Sequence, residues 1–157
     1  MPTNKEIEKQ YNELKKKFKL PDFKEIDFEF EISDLEETNF LIRAIMRRIG
    51  EKLDFYTAIL EEIIQPDASN LYAMHESRFF DEDEKKQMYD FYKKLMNLSR
   101  HSAELSLEHA EKEESEFINK FIQEWKEIKK ELVIYMKKLK DSWETETDTE
   151  EDIGYLG

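Results

Sequence analysis

MYDFYKKLMNLSRHSAELSLEHAEKEESEFINKFIQEWKEIKKELVIYMKKL, residues 88–139, carries one apolar stripe from end to end. Met88, Tyr92 and Leu95 open the stripe with large side chains. Ser99, Ser102, Ala103, Ser106 and Ala110 continue it with small ones. Phe117, Phe121, Ile128, Leu132, Tyr135 and Leu139 close it with large ones again. At about 100° per residue, these positions stay within one broad band of a helix. No glycine or proline occurs from Asp67 to Ile153, and the chain holds three of each in all. Those residues punctuate turns and hairpins, so their scarcity leaves helix as the way to satisfy the backbone. The expected class is all-α, an antiparallel bundle of long helices.

One unbroken helix over 82–143 would run roughly 90 Å at about 1.5 Å per residue. A compact domain of this size has a radius of gyration near ~15 Å. A break within 99–116 is therefore expected. The small side chains at 99, 102, 103, 106 and 110 would let another helix approach closely, from this chain or from a second copy. They are the expected helix-packing residues.

Outward from this stretch, Asp81 and Glu84 have capping-box spacing and start its first helix. Residues 67–79 predict a short helix or turn. Ser33 and Glu36 predict the start of a long helix reaching about Gln65, with Pro66 as its stop. Ile42, Ile45, Ile49, Leu53, Tyr56, Leu60 and Ile63 would form its core side. Ile7, Tyr11, Leu14 and Phe18 recur at intervals of three and four, which predicts a first helix over 4–19.

Residues 26–32 break the helical rhythm. Ile26, Phe28, Phe30 and Ile32 alternate with Asp27, Glu29 and Glu31, the period of a strand. No second segment repeats the pattern. The expectation is a short extended segment whose apolar face covers a groove and whose open edge takes a partner strand. On that reading Phe28→Asp destabilises the fold.

Residues 1–143 are expected as one helical domain and 144–157 as a disordered acidic tail. The tail holds six acids and no base, which leaves −7 of the net charge of −13 on the body. It ends with Ile153, Tyr155 and Leu156, apolar residues suited to a linear docking motif. An acidic body disfavours nucleic acid and anionic lipid. Residues 1–20 lack the apolar run of a signal peptide, and no stretch approaches the ~20 apolar residues of a membrane span. A cytoplasmic location is expected. The chain has no cysteine, which removes thiolate chemistry and disulfides. A 40% charged share without cysteine also suits a thermophile.

Catalytic patterns are thin. His101, Glu104 and Glu108 share a helix face, but that face lies opposite the packed stripe. Glu51-x-x-Asp54 resembles one half of the acidic magnesium motif of all-α nucleotide pyrophosphatases, and the Glu-x-x-Glu partner is missing. No glycine-rich loop is present to cradle phosphate. Arg43, Arg47 and Arg48 sit among acids, a salt-bridged surface rather than a phosphate track. The expectation is a non-catalytic assembly or adaptor protein without metal or cofactor, self-associating and binding a protein partner through 26–32 or the tail. The alternatives are a small metal-dependent enzyme and a helical accessory subunit of a nucleic-acid machine.

Overall fold

The computed structural model describes residues 2–36 and 38–144. They form six helices: α1 (Pro2–Phe18), α2 (Phe23–Phe30), α3 (Leu41–Ile64), α4 (Leu71–Ser77), α5 (Glu82–Glu108) and α6 (Glu111–Glu144). A 3-10 turn occupies Ile32–Asp34, and no strand occurs among the described residues. The all-α bundle is therefore observed. The disordered tail expected over 144–157 lies outside the described residues, apart from Glu144 at the end of α6. Among the described residues, no helix is long and apolar enough to cross a membrane.

Packing falls into two compact units. The first joins the described residues up to Leu53 with Leu98–Lys126, and the second joins Asp54–Asn97 with the part of α6 from Glu127 to Glu144. The core of the first holds Ile7 and Tyr11 of α1, Ile45 and Ile49 of α3, and Phe121 and Trp125 of α6. The core of the second holds Leu60 and Ile63 of α3, Met88 and Leu95 of α5, and Ile128 and Leu132 of α6. In each unit α5 and α6 run antiparallel. His101 meets Phe117 edge-on at 5.3 Å in the first, and Phe91 meets Tyr135 at 5.7 Å in the second.

The extended segment at 26–32 is overturned. Residues 23–30 are helical, and Glu31 closes the helix at φ 52°, its N–H bonded to the Asp27 carbonyl. The alternation misleads because Ile26 and Phe30 are four apart and share a helix face as readily as a strand face. Both are buried there, at 0% and 2% exposure, while Phe28 points outward at 79%. A lone strand would leave its backbone groups without partners, whereas a helix satisfies them within itself. The left-handed Glu31 then turns the chain so that Ile32 also enters the core.

Side chains from α3 and α6 hold α2 in place. Arg48 donates to the Phe30 and Glu31 carbonyls at 3.3 and 3.2 Å, and Lys52 donates to the Glu29 carbonyl. Trp125 donates its indole N–H to Glu29 at 2.8 Å. With Phe28 in solvent, Phe28→Asp should change stability by less than about 0.5 kcal/mol. Thermal melting checks this, and a larger loss would mean that Phe28 is covered in solution.

Other helix ends follow local chemistry. Asp81 and Glu84 make the expected reciprocal cap, at 2.8 and 3.1 Å. Asn70 caps α4 by accepting from the Ala73 N–H. The expected start of α3 at Ser33 is wrong, because Ser33 lies within the 3-10 turn and donates its N–H to Asp27 at 2.7 Å. The break expected within 99–116 falls at His109 and Ala110, between α5 and α6.

Candidate functional site

The residues singled out from the sequence scatter. Ile26, Phe30 and Ile32 are core residues of the first unit, and Phe28 alone of that set faces solvent. Ser99 and Ser102 are buried, Ala103 and Ser106 are exposed, and Ala110 is half-buried at the α5–α6 joint. Ile153, Tyr155 and Leu156 lie outside the described residues. His101, Glu104 and Glu108 are all exposed. Among the described residues no three histidine, aspartate or glutamate side chains gather where a metal could bind.

Asp67, near the end of α3, is tied to the Ser69 N–H and hydroxyl at 2.9 and 2.7 Å. The Ser69 hydroxyl and then its N–H hold the Asp67 carboxyl below the usual range. That is turn chemistry and not a catalytic constellation.

His75, on α4, is a clamp. Its ring lies 4.1 Å from the Trp143 ring, and its Nε2 is 2.9 Å from the Ser142 carbonyl. A carbonyl can only accept, so Nε2 carries the proton. Trp143 donates to Glu76 at 3.0 Å, and Ser77 donates to the Ile63 carbonyl at 2.8 Å. Together these bonds tie the short α4 to the ends of α3 and α6.

The second unit has an open cleft of about 630 Å³ between α5 and α6. Helix α5 lines it with Gln87, Asp90, Phe91 and Lys94, spaced to fall on one face. From α6 come Glu127, Ile128, Glu131, Ile134 and Tyr135, again one helical stripe. Phe91, Ile128 and Tyr135 are buried and make the floor. Ile134 stands at the edge, 65% exposed. Asp90, Glu127 and Glu131 outnumber the single Lys94, so the lining is net acidic, with Lys93 and Lys130 beside it pairing with Asp90 and Glu127 at 3.4 and 3.2 Å. Tyr135 donates its hydroxyl to Glu131 at 3.1 Å. Burial, reinforced by the Glu131 charge and that hydrogen bond, raises the phenol above its ordinary range. It stays a neutral donor at physiological pH.

The cleft escaped notice in the sequence, although a signal was there. Leu132, Val133, Ile134 and Tyr135 are four apolar residues in a row, and no helix face is wide enough to bury them all. Leu132 and Tyr135 go inward, and Val133 and Ile134 are left outside at 41% and 65% exposure.

No family model matches this chain, no curated protein matches it, and no solved structure matches it. What the fold and cleft define is a helical bundle with an acid-rimmed, apolar-floored groove between two of its helices.

Proposed function

We propose that the protein is a non-catalytic helical adaptor that binds a partner protein in the α5–α6 groove. The observation that carries this reading is the exposed Ile134 beside a floor of Phe91, Ile128 and Tyr135, under a rim of carboxylates. Two antiparallel helices with an apolar seam accept a third helix by ridge-into-groove packing. The acidic rim selects a helix that carries lysine or arginine beside its apolar stripe. No histidine, serine or threonine lines the groove, so it lacks a serine, threonine or histidine nucleophile.

The test uses two fluorescent amphipathic helical peptides, one built from leucine and lysine, the other from leucine and glutamate. The lysine peptide should bind and the glutamate peptide should not. Ile134→Asp should weaken binding of the lysine peptide at least about tenfold while leaving the melting temperature nearly unchanged. Reversing Glu127 and Glu131 to lysine should exchange the preference between the peptides. Equal binding of both peptides, or indifference to Ile134→Asp, would remove the groove as the docking site.

A further inference from the structure

The joint between α5 and α6 is made by His109 and Ala110, and alanine, the strongest helix former, does not favour a break. His109 adopts φ 54°, the left-handed region that penalises a side chain. Elsewhere that region also closes α1 at Lys19 and α2 at Glu31, but there the sequence marks the end with Pro21 or a change of pattern. At His109 the sequence marks nothing. Leu107, in the last turn of α5, is 82% exposed. His109 Nδ1, Glu114 Oε2 and Ser115 Oγ are buried without a hydrogen-bond partner. Buried polar atoms are almost always satisfied, so three orphans between residues 109 and 115 mark a corner whose hydrogen bonding is incomplete.

The same residues suit a straight helix. The segment SLEHAEKEE, residues 106–114, contains mostly strong helix formers. Glu108 and Lys112 stand at i and i+4 in the stabilising order, a pair that only an unbroken helix aligns. The apolar stripe of residues 88–139 also crosses the joint without a stop signal. Local preference thus favours a continuous helix, and what opposes it is the packing of α6 on α5, α2 and α4 within one chain. A short, strained hinge of this kind is the condition for exchange between copies.

We infer that His109 and Ala110 form a hinge on which α6 is exchanged between two copies of this chain, with α5 and α6 running on as one helix. The contacts of Phe91 with Tyr135 and of His101 with Phe117 are then remade between chains rather than lost. Strain at both His109 positions is released. The groove is rebuilt from α5 of one copy and α6 of the other, so this inference does not depend on what the groove binds.

Glu84 and Lys138 form an ion pair between α5 and α6, and the full chain has no cysteine of its own. Glu84→Cys with Lys138→Cys, joined by a short bis-maleimide, therefore reports which chain each α6 packs against. After refolding at rising protein concentration, denaturing electrophoresis should show covalent dimers increasing at the expense of internally linked monomers. Two further variants bias the hinge in opposite directions. His109→Gly relaxes the left-handed joint and disfavours the straight helix, lowering the dimerisation constant by roughly a hundredfold, about tenfold at each joint. His109→Ala favours the straight helix and should raise the constant. Internal links alone at every concentration would overturn the inference. So would a dimer whose links stay within each chain, or glycine and alanine variants that shift the constant in the same direction.

Discussion

Phe30→Ala is expected to cost about 3–5 kcal/mol of stability, the usual range for a fully buried phenylalanine. The Phe30 ring is 2% exposed and lies 5.6 Å from the Phe121 ring and 5.4 Å from Trp125. The Lys52 ammonium sits 5.0 Å above its face. Part of the loss is the cavity itself. The remainder comes from α2, whose eight residues are too few to be helical without a surface to pack on. If α2 loosens, the Trp125–Glu29 bond and the carbonyl contacts of Arg48 and Lys52 weaken with it. The melting temperature should fall by roughly 2–4 °C for each kcal/mol lost. Urea unfolding beside Phe28→Ala, two residues away and exposed, separates burial from helix propensity. A loss below about 1 kcal/mol for Phe30→Ala would mean that α2 is not part of the core.

The contrast between Phe28 and Phe30 shows where the sequence stops being readable. Long elements were legible because their signals accumulate: the missing glycine and proline, the three–four spacing along α6, and the Asp81–Glu84 cap. Residues 26–32 carry too few side chains for the two periods to separate. Position 28 distinguishes them, since it faces inward in a strand with 26 and 30 but outward in a helix. What selects the helix is non-local, namely Arg48, Lys52 and Trp125 fixing its backbone and Glu29. The small-residue stripe shows a second limit. Ser99 and Ser102 are buried as their phase implies, yet Ala103 and Ser106 are exposed in the last turns of α5, where the helix ends at Glu108. The groove was partly legible in the crowded run at 132–135. Its acidic rim was hidden, because Asp90 meets Glu127 and Glu131 only once α6 has folded back.

Glu114 lies in phase with Phe117, Ile118 and Phe121, at intervals of three, four and seven. It is 1% exposed, and its Oε2 has no hydrogen-bond partner. Burial raises its carboxyl above the usual carboxylate range. Arg43 pulls the other way, and Glu111 adds to the rise. The native state therefore holds this proton to higher pH than the unfolded chain does. Stability from this group is complete below the ordinary carboxylate pKa and is lost as pH rises through the raised one. Above that raised value the fold carries an ionised, poorly satisfied carboxylate in its interior. Glu114→Gln removes that charge with little change of shape and, at pH above the raised value, should stabilise the protein by about 1–3 kcal/mol. The advantage should shrink as the pH is lowered and vanish where Glu114 is protonated in both states. Melting curves of wild type and Glu114→Gln from acid to neutral pH measure this. Parallel curves over the whole range would mean that Glu114 ionises in the fold without cost, with Arg43 as the compensating charge.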